Sequence, residues 1–274
     1  MNWWAIELSP PAEGRDDLAA WLVERTGLAV EDRDGGPLVA FAASDEALAA
    51  LEGDLRRDQP GLAASVRALP TVDWATAWRE GLGPRRFGRL VVSPSWIEAP
   101  LAPGEVLVRL DPETAFGSGE HGSTRTALLL LERLLAPGDV VFDLGSGSGI
   151  LAIAARRLGA SRAVGIEVDD EAIPVAVRNA ARNGVPEVQF LTGDAAVLTP
   201  LLGPADLVLS NILRLINVAL LPEVCDALRP GGTAIFSGME ESEAPAFLPE
   251  LTAAGFSPVA EARDGGWWAV AARP

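Results

Sequence analysis

Short β-type runs and helix-periodic apolar positions alternate along the chain, in two different orders. Residues 3–8 (WWAIEL) read as a strand, and Leu18, Trp21 and Leu22 mark a helix over 13–26 that stops at Thr26-Gly27. Leu28 to Arg33 and Leu38 to Ala42 flank Asp34-Gly35-Gly36, the pattern of a β-hairpin. Ser44 opens a second helix with Leu48, Leu51 and Leu55 on one face, and 62–69 closes the unit as a strand. The order βαββαβ over 1–69 predicts a small ferredoxin-like α+β domain. Nothing in it has catalytic character, which leaves packing or presentation of a partner as its role.

Residues 70–86 read as a linker with one short helix, DWATAW, whose Trp74 and Trp78 lie four apart on one face. Those rings either pack the helix on a neighbouring domain or face a substrate. Phe87 to Ser93 and Val106 to Leu110 are strand-like, and Asp111 to Arg125 (DPETAFGSGEHGSTR) is a glycine-rich loop before an apolar helix at 126–135. From 140 onward strand and helix alternate as in a doubly wound sheet. The strands are expected at 140–143, 163–168, 188–191, 206–210 and 233–237, with helices after Ile150, over 171–183, across Leu220 to Leu228, and up to Ala254. Pro230-Gly231-Gly232 reads as a helix stop. Pro258 to Ala262 and Trp267 to Ala272 flank Asp264-Gly265-Gly266, a terminal β-hairpin. Residues 87–274 thus read as an α/β domain.

The sharpest local pattern is VVFDLGSGSGILAIAA, Val140 to Ala155: a buried strand, a glycine turn and a helix N-terminus. Glycine lets the chain turn tightly and lets a ligand approach bare backbone, while the free N–H groups of the first helical turn face that ligand. A dinucleotide fingerprint needs G-x-G-x-x-G and a P-loop needs Gly-Lys-Ser/Thr. Here the glycines are Gly145, Gly147 and Gly149, and the chain contains no lysine. Asp143 closes the strand with an acid, which favours a ligand with an amino or cationic end over a phosphate. The pattern resembles the first motif of class I S-adenosylmethionine-dependent methyltransferases.

Ligands of open α/β sheets sit at the carboxyl ends of the strands. Besides Asp143 and the glycines, Glu167 ends a strand 22 residues after Gly145 and is placed to accept hydrogen bonds from ribose hydroxyls. A nicotinamide enzyme would use an acid similarly. Asp194 either meets an adenine amino group or is simply solvated. Asn211, in SNIL, offers a neutral amide beside the reacting atoms. Phe116, between Ala115 and Gly117, is the candidate wall against a methyl-accepting amine. His121 is either a general base or a donor that orders its loop.

Composition narrows the partners. The 274 residues carry a formal charge of −16, which argues against a general nucleic-acid grip and suits a basic protein partner, although solubility alone would explain it. Cys225 and His121 are each the only residue of their kind, so no disulfide within the chain forms and a structural zinc site lacks ligands. No basic segment followed by an apolar run opens the chain and no long uncharged apolar run occurs, so the reading is a soluble, cytoplasmic protein with no membrane contact.

Taken together, AFGSGEHGSTR, DLGSGSGILAIAA, GIEVDD and SNIL, with DWATAW and FGRLVVSPSW, resemble the PrmA family, methyltransferases of ribosomal protein L-eleven. The resemblance covers essentially the whole chain. It implies a class I methyltransferase domain with a Rossmann-like seven-stranded sheet, and an amino domain that recognises a basic ribosomal protein. It also implies a flexible linker that lets that domain swing, and trimethylation of lysine or α-amino nitrogens. The family's cofactor contacts fall on Thr124, Gly145, Glu167 and Asn211. Where the family usually has Asp-Pro-Gly-Met, this chain has Asp111-Pro112-Glu113-Thr114; the usual His-Pro-Thr-Thr is His121-Gly122-Ser123-Thr124. An aspartate is usual at Glu167, and alanine and small residues are usual where Arg214 follows SNIL.

The leading expectation is S-adenosylmethionine-dependent methylation of a ribosomal protein, releasing S-adenosylhomocysteine, by a monomer. Asp111 to Thr124 would form a lid over the acceptor amine. The alternatives are a methyltransferase of another protein or of a small amine, and, further off, a non-enzymatic adenosine-nucleotide binder or a nicotinamide dehydrogenase on a Rossmann core. The glycine spacing and the terminal hairpin count against the last two.

Overall fold

In the computed structural model, residues 3–10, 14–32, 36–69, 83–111 and 115–274 are described. The chain divides into two compact units, 1–80 and 81–274.

The smaller unit carries β1 (Trp3–Leu8), α1 (Arg15–Thr26), β2 (Glu31–Asp32), β3 (Leu38–Ala42), α2 (Asp45–Asp58) and β4 (Ala64–Leu69). Its sheet is antiparallel in the order β2-β3-β1-β4, as a ferredoxin-like unit requires. Ile6, Leu8, Leu38 and Ala40 of the sheet meet Leu18, Leu22, Leu51 and Leu55 of the helices in one core. Ser44 starts α2 as expected, its Oγ accepting the Ala47 N–H at 3.1 Å. The edge strand β2 is only two residues long, against the six expected. Glu31 and Asp32 are both exposed. The DWATAW helix with Trp74 and Trp78 lies outside the described residues.

The larger unit begins with β5 (Arg85–Phe87), β6 (Leu90–Ser93) and β7 (Val106–Arg109), which form a separate three-stranded sheet. The first of these starts inside the stretch read as linker, because the chain turns back at Gly88-Arg89 and pairs Arg85 with Val92. Helix α3 (Gly122–Leu134) follows, then β8 (Val140–Leu144), α4 (Ile150–Leu158), β9 (Arg162–Glu167), α5 (Ala172–Arg182) and β10 (Gln189–Thr192). After a short helix at Ala195–Leu198 come β11 (Ala205–Asn211), two short helices at Arg214–Ala219 and Leu221–Ala227, and β12 (Leu228–Glu240). A helix at Ala244–Ala253 leads to the hairpin β13 (Ser257–Asp264) and β14 (Trp267–Arg273).

The seven strands lie in the order β10-β9-β8-β11-β12-β14-β13; the first five are parallel, and β14 pairs antiparallel with both β12 and β13. The sheet is buried on both faces. Val141, Leu207 and Leu209 point to a core shared with Leu128, Leu131 and Ile153, while Phe142, Val208 and Phe236 point to one shared with Phe247 and Trp268. Pro230-Gly231-Gly232 does not stop the chain at a strand boundary. It forms an irregularity inside β12, where the register jumps from Ala205↔Leu228 to Leu207↔Thr233. Strand order reverses between β8 and β11, so a crevice opens at their carboxyl ends.

Candidate functional site

A cavity of about 730 Å³ occupies that crevice. Its floor is the glycine turn. Gly145 and Ser146 donate their N–H groups to the Ile166 carbonyl at 2.9 and 3.0 Å, which ties the turn to the end of β9. The Glu167 carboxylate then binds backbone: Gly147 N–H at 2.8 Å on one oxygen, Val168 and Asp169 N–H at 2.9 and 3.1 Å on the other. A carboxylate has about four lone-pair sites, so it keeps capacity for a ligand hydroxyl. Gly147 is in the left-handed region at φ 48°, and a Cβ there would lie 2.6 Å from the Phe116 carbonyl oxygen. That carbonyl accepts the Ser148 N–H at 2.9 Å, and Ser148 Oγ donates to the Gly117 carbonyl at 2.6 Å.

Part of the stretch expected to form a lid is tied down. The backbone at Phe116 and Gly117 is fastened to the glycine turn rather than free, and Gly122 to Thr124 already belong to α3. The helix starts four residues before the expected 126, with His121 as its N-cap and no side-chain cap bond to announce it. Residues 112–114 lie outside those described. The Phe116 side chain is 57% exposed at the rim.

Phe116, His121, Gly145, Gly147, Glu167, Asp194 and Asn211 all line the cavity. Thr124, Asp143 and Gly149 do not. Thr124 is fully buried in the first turn of α3 and accepts a hydrogen bond from Asn211 Nδ2 at 3.3 Å, so it acts on the cavity through that amide. Asp143 turns inward; one oxygen accepts the Ala152 N–H at 3.0 Å, and the other is buried without a partner. Burial, reinforced by the nearby charge of Glu167 and opposed by the Ala152 N–H, pushes its carboxyl up to about 7. Gly149 caps α4, its open side filled by Phe190 and Ala176. Asp194 lines the cavity but is also the N-cap of the helix at 195–198, accepting the Ala196 N–H at 2.8 Å.

The rest of the wall is built from side chains, of which Ile212 packs on the glycine turn, 2.4 Å from where a Gly145 Cβ would lie. Asn211, the last residue of β11, presents an Oδ1 that is buried and has no hydrogen-bond partner. Beside it are Ile212, Leu213 and Ile216. The His121 ring packs 4.2 Å from that of Trp267 and 5.3 Å from that of Phe116, and its Nδ1 is 2.8 Å from Ser123 Oγ. Burial and the Arg125 charge both lower the pKa of His121, so the ring is neutral at pH 7. Arg214, the departure noted after SNIL, faces away from the acceptor wall: it pairs with Glu250 at 2.9 Å and Glu243 at 3.6 Å.

Sequence reasoning missed Trp267, Ser123, Ile212, Leu213 and Ile216. For Trp267 a signal existed. A terminal hairpin that inserts an antiparallel strand must bring the first residue of that strand back to the carboxyl edge of the parallel ones, and Trp267 duly pairs with Glu240 at the end of β12.

Residues 31–274 match the family model described as ribosomal protein L11 methyltransferase (PrmA). A ribosomal protein L11 methyltransferase of Pelotomaculum thermopropionicum is 43% identical over 242 residues, 87% of this chain and 78% of that protein. One from Geobacter metallireducens is 35% identical over 97% of this chain and 96% of its own length. A crystal structure of ribosomal protein L11 methylase from Lactobacillus delbrueckii subsp. bulgaricus superposes with a TM-score of 0.64 at 32% identity, covering 69% of this chain and 97% of that one. The chain belongs to the ribosomal protein L11 methyltransferase (PrmA) family.

Proposed function

We propose that this chain methylates amino nitrogens of ribosomal protein L11, lysine side chains or the α-amine, with S-adenosylmethionine as methyl donor. Membership of the family carries the reading. Within the site, its support is Asn211, whose Oδ1 is buried without a partner on a stretch of wall that also carries Phe116, Ile212, Leu213 and Trp267. Such an atom costs free energy unless a ligand donor reaches it, and an amine N–H is that donor.

When bound, S-adenosylmethionine supplies an electrophilic methyl group and leaves as S-adenosylhomocysteine. Gly145, Gly147 and Glu167 offer it a bare backbone turn and a carboxylate fixed by three N–H groups. The rest is alignment and protonation state. A free lysine titrates at about 10.4. Ile212 and Leu220 give the cavity apolar walls, and desolvation against them disfavours the charged form. Its lowered pKa makes His121 a weaker acceptor for a lysine proton than an ordinary imidazole, although its neutral form has a lone pair to offer.

The smaller unit has its own core and no candidate chemistry, which supports a role in holding the ribosomal protein. Removing residues 1–69 is expected to leave cofactor affinity intact and to abolish modification of the protein. The direct test is intact-mass and peptide spectrometry of purified L11 after incubation with the enzyme and S-adenosylmethionine. This chain has no lysine, so every methyl-lysine found belongs to the substrate. Unmodified L11 at saturating donor would overturn the assignment.

A further inference from the structure

Three rings meet at one edge of the cavity. Phe116 and His121 are inclined at 66° with centroids 5.3 Å apart, and His121 and Trp267 at 59° with centroids 4.2 Å apart. All three line the cavity, as does Asn211. The position of Trp267 depends on Gly122: a Cβ there would lie 2.3 Å from the indole and 2.9 Å from the Asp264 carbonyl. A second device holds the same corner. Arg125 donates to Asp264 at 2.6 Å and to the Glu120 carbonyl, and Glu120 is paired with Arg85 at 2.7 Å. The charges around the rings are therefore matched among themselves, and the rings themselves reach the cavity.

We propose that Phe116, His121 and Trp267 form a wall that recognises the positive charge of an alkylated ammonium, with Trp267 as the determining residue. The inference rests on the reading that amines are methylated in this cavity. Each transfer forms a C–N bond from the amine lone pair while the C–S bond breaks onto sulfur. It leaves an ammonium that loses its proton to water before a further round. Every round also removes one N–H, so the grip of Asn211 Oδ1 on the nitrogen fades as methyl groups accumulate. Attraction between a cation and a ring face needs no N–H, and tryptophan is the strongest partner for it. The two recognitions are complementary: the amide holds the unmodified amine and the rings hold its methylated successors.

The test measures binding to enzyme saturated with S-adenosylhomocysteine, apart from turnover. The probes are an N-acetyl-Nε-trimethyl-lysine amide and its uncharged carbon isostere, in which a tert-butyl group replaces trimethylammonium. Wild-type enzyme is expected to prefer the charged probe by about 3- to 30-fold, the range for a cation on a partly desolvated ring. Trp267→Leu should abolish that preference and Trp267→Phe should keep most of it. Gly122→Pro, which suits the first turn of a helix but intrudes on the indole, should also reduce it. In parallel, Trp267→Leu should lower the later methyl transfers to a substrate amine several-fold more than the first.

Equal binding of the two probes by wild-type enzyme overturns the proposal, and needs no variant to fold. So does a preference that survives Trp267→Leu in a variant with unchanged S-adenosylhomocysteine affinity. If the preference is present but L11 stays unmodified, the ring wall stands and the choice of L11 as substrate falls.

Discussion

The two edges of the cavity are built by different means. The edge proposed for the cofactor is backbone: Gly145, Gly147 and Glu167 come from one β-turn-α-β stretch and are tied to one another by N–H groups. The edge proposed for the acceptor is side chain: Phe116, His121, Asn211 and Trp267 come from three separate stretches and converge only because the sheet brings them to one end. A backbone-built edge has few ways to vary while it still closes its hydrogen bonds. A side-chain-built edge changes with each residue, so acceptor preference is free to drift over a fixed cofactor floor.

The two edges meet where Gly147 faces the Phe116 carbonyl, and this contact gives the largest expected effect. Gly147→Ala adds a Cβ 2.6 Å from that backbone oxygen, at a left-handed φ. Overpacking and the left-handed penalty together amount to about 2–5 kcal/mol. Cofactor affinity and turnover should both fall, as measured by calorimetric titration and initial rates. Loss of cofactor affinity with normal turnover at saturation would mean that the edges are independent after all.

Asp143 lies beneath the cofactor edge and gives the next effect. Its folded pKa of about 7 is above the ordinary 3.8, so the fold favours its protonated form. The contribution is full below the unfolded value and is lost as pH rises through about 7, up to about 4 kcal/mol over that window. Asp143→Asn should remove this slope, so that urea unfolding finds the variant gaining on wild-type enzyme between pH 4 and pH 8. A difference that does not change with pH would show that the carboxyl is not held protonated.

What the sequence made legible follows the same division. The glycine turn, Glu167 and the terminal hairpin were readable because each is a local pattern whose residues are neighbours in the chain. Asn211 was readable for a related reason, since it simply ends a strand. Trp267 was not singled out, although the hairpin that carries it was readable, because its place at the crevice also depends on strand order and on the antiparallel entry of β14, which no local window contains. Asp143 was found, but its direction was not. Whether a strand-ending acid turns toward the ligand or inward to the Ala152 N–H is decided by the helix that follows. The start of α3 at Gly122 was hidden for want of a capping side chain at His121. The strand β12 passes through Pro-Gly-Gly because a register jump absorbs those residues.

A pair of substitutions separates the edges directly. Glu167→Ala removes the acceptor of three backbone N–H groups at the cofactor edge and should weaken S-adenosylmethionine by about 1–3 kcal/mol. Phe116→Ala removes the ring proposed to touch the amine, and should lower turnover by more than the tenfold that about 1.4 kcal/mol represents, with cofactor affinity nearly unchanged. If each variant changes both quantities equally, the division into two edges has no functional meaning.

The smallest effect is expected from Asp264, which braces the acceptor edge from outside. Its ion pair with Arg125 is 2.6 Å long, but the side chain of Asp264 is 38% exposed, so solvent screening limits the pair to about 1 kcal/mol or less. The Arg125 guanidinium holds the Asp264 carboxyl below its ordinary value. The contribution is therefore present above the unfolded pKa of about 3.9 and is lost as pH falls through the lower folded one. Asp264→Asn should cost a few tenths to 1 kcal/mol at pH 7, by urea unfolding, and nothing once both states are protonated. Its bearing on the comparison lies in the kinetics. The turn at Asp264 carries Trp267, and Arg125 links that turn to the Glu120 carbonyl, so loosening it should raise KM for the methyl acceptor while cofactor affinity stays at the wild-type value. Since nothing in that brace touches the glycine turn, a matching loss of cofactor affinity would mean that the backbone-built edge leans on the side-chain-built one.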